Sequence, residues 1–339
     1  MEKKFNVVIV SKKVSEDVLY CLNKLNHQRY KNFFVTVVVD AKYKKRIPKY
    51  KFKTNIVVSK NKNMSYKRNI GVSMFNSELI AFLDSDAYPP KNWLLNGRKL
   101  LSNNKKLILG GPSIPFPNQK YWEMIAYYAK RSFFVTGYLN FRKYKSPDRY
   151  CDWVESCNML MHRELFIKNK GMNKNIYLGE DKELIERMKK NDNCIQVYFS
   201  KKLFIYHSER TLSKFLIQRF IFGTDLFNII KFQNKIQSFQ PILPLTILIV
   251  FAILIFLKIE FSFKLILVSL FIFSIQSIIF LDIIKYLNNP LKIIHTIIAI
   301  NLANISYALG NFFEFFFLKK FLDRKMYLYS REKDIKIKN

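Results

Sequence analysis

The chain has 339 residues, half of them hydrophobic, and its 57 lysines and arginines against 25 acidic residues give a formal net charge of +32. A charge this large predicts an anionic partner such as a membrane surface rich in anionic lipids, although biased codon usage would also enrich lysine. The sequence contains no zinc-finger spacing, no glycine-aromatic RNA motif and no arginine-rich arm, which argues against nucleic acid as the partner. Its four cysteines form no Cys-x-x-Cys pair, which argues against zinc and fits a reducing compartment.

The first part of the chain alternates apolar strands with helical patterns. Phe5–Val10 is an apolar, mostly β-branched run, and Val18, Leu19, Leu22 and Leu25 then recur at helical spacing. The same reasoning predicts strands at Phe33–Val39, Asn55–Val58, Glu78–Leu83 and Leu107–Gly111, and helices at Tyr66–Phe75, Trp93–Leu101 and Glu180–Lys190. Such alternation indicates an α/β fold with a mostly parallel central sheet.

Two acidic clusters lie far apart along this pattern. Asp84 and Asp86 directly follow an apolar strand, and Glu180 and Asp181 follow Gly179 at the start of a helix. Carboxylates at the end of a parallel strand point into the crevice where open α/β sheets bind ligands, and their oxygens suit Mg²⁺ or Mn²⁺. Helix capping and the helix dipole are the structural alternatives for such residues. Together the two clusters favour metal-assisted group transfer.

Several motifs occur in a fixed order over the first two thirds of the chain, and the order is more specific than any one of them. In sequence they are Asp40, Lys67-Arg68-Asn69-Ile70-Gly71, Leu83-Asp84-Ser85-Asp86 with Pro89 and Trp93-Leu94, Ser156-Cys157-Asn158-Met159 with Arg163 and Gly171, and Gly179-Glu180-Asp181. This series resembles the inverting, nucleotide-sugar-dependent glycosyltransferases of family 2, whose nucleotide-binding α/β domain is called GT-A. The resemblance implies a GT-A-type domain, followed here by an all-α membrane region.

The resemblance also implies the nucleotide-binding residues. The counterpart of Asp40 hydrogen-bonds the base, the counterpart of Arg68 lies near the nucleotide, and Ser11 and Asn69 are expected on the same side. Asp84 is expected to face the ribose and the metal. The structural alternatives are a turn at the end of a strand for Asp40 and a solvated charge on a helix for Arg68.

The metal and catalytic residues follow in the same way. Asp86 and Asp84 are expected to bind Mg²⁺ or Mn²⁺, and His207 either completes the metal shell or is a structural histidine. Asp181 is expected to be the general base, with Glu180 holding the acceptor or the base in place. Asn158 and Arg210 are expected on the acceptor side.

Two departures from the family pattern limit what it implies. Val10-Ser11-Lys12-Lys13 replaces the usual Pro-Thr-Tyr-Asn-like loop, so recognition of the base is less defined. Gln218-Arg219-Phe220 lacks the spacing and the tryptophan of the Gln-x-x-Arg-Trp motif found in processive members. Addition of a single sugar is therefore expected.

Beyond Gln240 the composition changes to long apolar runs. Pro241–Leu257 and Phe261–Leu281 predict a membrane hairpin, because a bilayer core requires roughly 20 helical residues with about 17 as the lower bound. A third run, Leu291–Leu318, contains a histidine, three asparagines and a glutamate, so it either packs against other helices or lies partly at the interface. The predicted organisation is a GT-A domain at 1–225, a linker at 226–240, two or three membrane helices at 241–318 and a basic tail at 319–339.

The expected orientation keeps the catalytic domain in the cytosol at the cell membrane. The N-terminus begins with a strand instead of a cleavable leader, and the basic tail also favours the cytosolic side. An even number of spans would satisfy both, and a third segment that is re-entrant or lies on the membrane surface would permit it. Tyr121–Leu139 mixes aromatic and basic residues, which favours the headgroup region, although ordinary core packing against the sheet is the alternative.

The sequence thus predicts a membrane-anchored glycosyltransferase that moves one sugar from a nucleoside diphosphate sugar to a lipid-linked or cell-surface glycan, in cell envelope polysaccharide synthesis. The alternatives are a non-catalytic scaffold with a GT-A-like domain that binds anionic lipid or nucleic acid, and a nucleotidyltransferase, which would release pyrophosphate. The sugar, the base and the acceptor are not predicted.

Overall fold

The computed structural model describes residues 3–43, 47–176, 179–224, 243–256 and 260–316. The chain forms two compact units, one of Met1–Pro117 with Phe141–Ser208 and one of Asn118–Asn140 with Glu209–Asn339. This division groups residues 118–140 with the C-terminal helices, whereas the sequence analysis placed them inside the domain at 1–225. The predicted linker at 226–240 and the basic tail at 319–339 lie outside the described residues, and the domain boundaries stay a prediction.

The strands belong to the first unit and the helices to both. In chain order the strands are β1 (Phe5–Val10), β2 (Phe33–Val39), β3 (Lys53–Val58), β4 (Leu79–Asp84), β5 (Ala87–Tyr88), β6 (Leu107–Gly110), β7 (Ser113–Pro115), β8 (Arg149–Tyr150), β9 (Asn158–His162), β10 (Gln196–Phe199) and β11 (Ile205–His207). The helices are α1 (Glu16–Leu25), α2 (Met64–Ser73), α3 (Trp93–Leu101), α4 (Tyr121–Arg131), α5 (Phe133–Thr136), α6 (Arg163–Lys168), α7 (Glu180–Asn191), α8 (Leu212–Gly223), α9 (Leu243–Phe256), α10 (Phe261–Ile283) and α11 (Pro290–Phe316). Short 3-10 helices lie at Gly137–Lys143 and Lys201–Leu203.

An eight-stranded sheet forms the centre of the first unit, in the order β3-β2-β1-β4-β9-β6-β10-β8. The first four strands of that order are parallel, as are β6 and β10. Strand β9 runs antiparallel between β4 and β6, and β8 is antiparallel at the edge. The mostly parallel sheet predicted from the sequence is therefore confirmed, and β9 and β10 are strands that the sequence analysis did not predict.

Apolar side chains cover both faces of this sheet because successive residues of a strand point to opposite sides. In β1, Val7 and Ile9 join the core on the side of α1 and α3, while Val8 and Val10 join the core on the side of α2 and α7. Helix α2 packs directly on the strand at Gly71, where a Cβ atom would come within 2.3 Å of Val8 Cγ1. This close packing fixes the position of α2, which carries several of the candidate nucleotide-binding residues.

The parallel strands deliver their C-terminal residues to one edge of the sheet. Val10 at the end of β1 pairs with Val38 on one side and with Asp84 on the other. A second sheet has three strands in the order β5-β11-β7, and β5 begins three residues after the end of β4. The antiparallel β5–β11 pair of this sheet places His207 opposite Ala87. The short strands of this second sheet therefore bring the residue at 207 back to the acidic end of β4.

The described residues of the second unit form helices. Two of them, over Phe261–Ile283 and Pro290–Phe313, are long and apolar enough to cross a membrane by length and composition. The side chains of Ile125, Ala126 and Ala129 on α4 are buried in a cluster with residues of α8, α10 and α11. Helix α4 therefore packs on the C-terminal helices, and these side chains belong to a different core from the one that covers the sheet.

Candidate active site

The ends of β1 and β2 meet α2 at a buried lysine. The ammonium of Lys67 is 2.8 Å from Asp40 Oδ1 and donates a second hydrogen bond of 2.9 Å to the Ser11 carbonyl oxygen. Lys67 is only 1% exposed, so its charge depends on these partners for the hydration it has lost. The ion pair holds Asp40 and the backbone at Ser11 together at the edge of the sheet, where the sequence predicted nucleotide binding.

Arg68, the next residue of α2, connects the two acidic clusters. Its guanidinium donates to Glu180 Oε1 at 2.7 Å and lies 3.5 Å from Asp84 Oδ1. Burial alone would lower the pKa of Arg68, but the charges of Glu180 and Asp84 raise it. One buried cation thus joins the end of β4 to the start of α7, although the two clusters are almost a hundred residues apart along the chain.

Asp181 is buried beside this bridge. Its Oδ2 accepts the backbone N–H of Ser156 at 2.8 Å, and its side chain is 9% exposed. Burial raises the pKa of Asp181 to about 7, the negative charge of Glu180 adds to the rise, and the Ser156 N–H and Arg68 oppose it. Gly179 introduces the helix with a φ of 75°, a left-handed conformation that glycine adopts without strain. The result is a carboxyl group that gains and loses a proton near neutral pH.

Asp84, Asp86 and His207 form a group that could hold a metal ion, with one ligand atom from each lying within 4.8 Å of the others. His207 Nε2 is 3.6 Å from Asp84 Oδ2 and 3.5 Å from Asp86 Oδ1. Its other ring nitrogen, Nδ1, lies 2.8 Å from the Ser208 carbonyl oxygen, which can fix the ring and direct Nε2 to the carboxylates. Two carboxylates and an imidazole are a donor set that suits Mn²⁺ and, through the oxygens, Mg²⁺. The residues therefore fit the predicted cofactor.

The structure adds three side chains that sequence reasoning missed. Glu155 lies near Arg142 and Lys143, with its Oε2 3.2 Å from the Lys143 ammonium. Burial would raise the pKa of Glu155, but Arg142 and Lys143 lower it to about 2, and the Glu155 charge acts in turn on Asp181. No motif marked these residues, and only the position of Glu155 immediately before the Ser156 motif was a signal that could have found it.

Other predicted site residues lie in different surroundings. Asn69 exchanges hydrogen bonds with the backbone of Met172 and thereby fixes the segment that precedes α7. Asn158 is 1% exposed, accepts from Trp93 Nε1 and donates to the carbonyl oxygens of Gly111 and Leu203. Its amide is thus used inside the core, and its acceptor-side role stays a prediction.

Arg210 belongs to the second compact unit, just after β11. Its acceptor-side role stays a prediction.

A family model and solved structures match parts of the chain. The model described as glycosyl transferase family 2 matches residues 6–169, which contain Asp40, Arg68, Asp84 and Asp86 but end before Asp181. The crystal structure of S. aureus TarS is 16% identical with a TM-score of 0.46, and the match covers 66% of this chain and 40% of that one. The crystal structure of GalNAc-T7 with UDP, GalNAc and Mn²⁺ is 12% identical with a TM-score of 0.48, and the match covers 68% of this chain and 54% of that one. No curated protein matches the chain significantly.

The mostly parallel sheet with its acidic edge defines an α/β domain. The matched range is just under half of the chain, and over that range the chain is similar to the glycosyltransferases of family 2. It spans about half or less of the length of the two solved structures above.

Removal of a metal-binding side chain should weaken Mn²⁺ binding. We expect Asp86→Ala and His207→Ala each to lower the affinity for Mn²⁺ on the order of 10- to 100-fold or more, as measured by titration calorimetry, because each removes one of three donors. Glu164→Ala is the matched control, since the Glu164 side chain is 76% exposed and lies outside the group. Wild-type affinity in His207→Ala would exclude the histidine from the metal shell.

Substitution of Asn158 should affect stability more than acceptor binding. Asn158→Ala leaves two carbonyl oxygens and an indole N–H without their partner, each at a cost of about 1–3 kcal/mol, so we expect a loss of about 3 kcal/mol or more in urea unfolding. Asn158→Asp should be worse, because a carboxylate would face both carbonyl oxygens. An unchanged free energy of unfolding with a raised KM for the acceptor would restore the acceptor-side role.

Proposed function

We propose that this glycosyltransferase moves a single sugar from a nucleoside diphosphate sugar to a lipid-linked or cell-surface glycan acceptor, with inversion at the anomeric carbon. The observation that carries the proposal is the joining of the two acidic clusters by Arg68. That contact supports one site that contains a base candidate, Asp181, and a metal-binding group on β4 and β11.

The donor side of the proposal rests on the Asp40–Lys67 pair. Lys67 engages Oδ1 of Asp40, which leaves Oδ2 to accept a hydrogen bond from a ring N–H of the base. A carboxylate held by a buried ammonium keeps its direction, so its oxygen can distinguish a base that presents N–H from one that presents an acceptor at that point. Ser11 contributes its backbone at the same corner.

The chemical step requires one base and one direction of attack. Asp181 accepts the proton of the acceptor hydroxyl, whose oxygen forms the new bond to the anomeric carbon on the face opposite the leaving group. The bond from that carbon to the phosphate oxygen breaks, and its electron pair stays on the departing nucleoside diphosphate. A single displacement of this kind inverts the anomeric carbon.

The charged neighbours prepare the site for this step. Asp84, Asp86 and His207 would hold Mg²⁺ or Mn²⁺, and the ion would supply positive charge to stabilise the diphosphate as it leaves. Arg68 keeps Glu180 and Asp84 in place, so Glu180 can position the acceptor or Asp181. Each of these roles belongs to a named residue, whereas the identity of the sugar has to be determined by assay.

The membrane part of the proposal rests on the second unit. Helices α10 and α11 are long and apolar enough to cross a bilayer. Together with the net charge of +32, they support attachment to an anionic membrane with the catalytic domain on the cytosolic side, where nucleotide sugars are made. A lipid-linked acceptor in envelope polysaccharide synthesis would be presented at such a surface.

The direct test is an assay of the full-length protein in detergent with Mn²⁺ and a panel of UDP- and GDP-sugars, using a polyprenyl phosphate or a polyprenyl-diphosphate-linked sugar as acceptor. We expect release of nucleoside diphosphate and a product whose anomeric configuration, read by NMR, is inverted. Release of pyrophosphate would identify a nucleotidyltransferase. No turnover and no metal-dependent nucleotide binding, with lipid binding retained, would identify a scaffold.

The pH profile should identify the base. Because a general base must be deprotonated, we expect kcat/KM to rise with pH and to level off above about 7, the pKa of Asp181. Asp181→Asn should lower kcat by about 10²- to 10⁴-fold and remove the rise. It should leave the protein at least as stable at pH 8, because a carboxyl whose pKa is raised on folding loses stability as the pH rises from about 4 to 7. A profile unchanged by Asp181→Asn would remove Asp181 from this role.

The buried Lys67–Asp40 pair should separate stability from donor recognition. Lys67→Met leaves a poorly hydrated carboxylate behind, so we expect a loss of about 3–5 kcal/mol in the free energy of unfolding. The double variant Lys67→Met with Asp40→Leu should recover most of that loss, since an apolar pair can replace a buried ion pair at little cost. Donor binding, followed by calorimetry with UDP and GDP, should stay weak in both. Full donor affinity in the double variant would exclude Asp40 from base recognition.

A further inference from the structure

Helix α11 shows an unusual distribution of side chains. Between residues 291 and 313, every exposed side chain is a large apolar one. They recur every three or four residues and so lie on one face of the helix, and they are Leu291, Ile294, Ile298, Leu302, Ile305, Leu309 and Phe312. This stripe is about 30 Å long at 1.5 Å per residue. Contiguous apolar surface of that length is rare on soluble proteins and marks an interaction site.

The polar residues of α11 lie outside this stripe, on its flanks and on the side that faces the protein. Thr296 and Asn311 are fully buried, His295 is bonded to the Tyr121 hydroxyl at 2.8 Å, and Asn301 exchanges amide hydrogen bonds with Gln276 of α10. Polar groups inside and apolar groups outside are the reverse of a soluble amphipathic helix. The arrangement fits a helix whose outer face contacts hydrocarbon.

Helices α4 and α8 cover this protein-facing side along most of α11. Tyr121 of α4 contacts His295 near the start of α11, and Gly223 of α8 approaches Gly310 so closely that a Cβ there would lie 3.0 Å from the Gly310 Cα. Arg219 of α8 lies 4.5 Å from the ring of Tyr307. Both halves of α11 are therefore flanked by helices that carry charged residues.

Those charges lie beside the middle of α11 as well as its ends. Phe215 of α8 shares a buried cluster with Ala299, Ile300 and Ala303, and the Lys130 ammonium is 5.8 Å from the Phe215 ring. Lys130 is paired with Glu209, and Lys214, next to Phe215 on α8, is exposed. If α11 crossed the bilayer upright, these charges would lie near the bilayer centre, where ionised side chains are rare and energetically costly.

The rim around the stripe has the composition of a membrane interface. Trp122 is 49% exposed and its ring lies 5.0 Å from the His295 ring, and the Arg131 guanidinium lies 4.3 Å from the ring of Tyr286. Lys285 lies in the turn that follows α10, and Lys292 lies in the first turn of α11. Tryptophan, tyrosine and basic residues concentrate at the headgroup level, where each has an apolar part and a polar end.

We propose that α11 lies along the membrane surface, with its apolar stripe in the hydrocarbon just below the headgroups and with α4 and α8 on its water side. The partner of this surface is an anionic lipid bilayer. The inference rests on the membrane attachment proposed above and replaces a crossing α11 with an in-plane one. An in-plane α11 requires no burial of the charges on α4 and α8.

The test measures the depth of four positions spread along the stripe. Single nitroxide labels at Leu291→Cys, Ile298→Cys, Ile305→Cys and Phe312→Cys are introduced into the full chain, with the four natural cysteines replaced by serine. The protein is placed in nanodiscs with anionic lipid, and depth is read from the accessibility to oxygen and to a nickel chelate, calibrated with lipids labelled at known acyl carbons. Where loss of the natural cysteines alters the circular dichroism, a photo-crosslinking residue at the same positions reports contact with headgroup or acyl atoms.

We expect all four labels at one depth, roughly 5–10 Å below the headgroups. A depth that is greatest at Ile298 and Ile305 and shallow at both ends would show a crossing helix and overturn the proposal. Water exposure at all four positions would overturn both this proposal and membrane attachment through α11. Sugar transfer and its dependence on Asp181 are measured separately, so neither result would be confused with a failure of the catalytic assignment.

Discussion

The candidate site depends on one buried cation placed between acidic residues that are almost a hundred positions apart along the chain. Arg68 bonds Glu180 and lies near Asp84, and without it these carboxylates would repel each other at the edge of the sheet. Its burial is costly unless it is paired, so the cation and the carboxylates stabilise one another only when β4, α2 and α7 are all in place. The interaction that assembles the site therefore forms only when the chain is folded.

The sequence predicted the elements whose pattern is long and local. The apolar runs of β1, β2 and β4 could be identified because buried parallel strands are continuously hydrophobic, and α2 began only two residues earlier than predicted because Asn63 caps it. The short strands β5, β7 and β11 could not, since two or three residues carry no periodicity and form only through pairing with distant partners. This pairing nevertheless brings His207 to Asp84. The resemblance to a family was therefore needed to propose His207 as a metal ligand.

Residue type alone did not distinguish a polar group that meets substrate from one that serves the core. Asn158 and Asn69 stand in motifs, but one bonds a tryptophan and two carbonyl oxygens and the other fixes a backbone segment. Lys67 belongs to the same motif as Asn69, but nothing in a sequence shows that a lysine is buried against an aspartate. Glu155 acts on Asp181 through space and belongs to no motif. Such assignments need the three-dimensional path of the chain.

The proton affinity of Asp181 follows from how a limited number of positive groups is shared. Arg68 is engaged by Glu180 and Asp84, and Lys143 is engaged by Glu155, so Asp181 has the backbone N–H groups of Ser156 and Lys182 as its close donors, with a weaker influence of Arg68. A carboxyl buried with so little compensation keeps its proton up to about pH 7. Had the guanidinium bonded Asp181 instead, the carboxylate would be stable but a poor base. The distribution of ion pairs around the site is therefore what suits this residue to accept a proton at neutral pH.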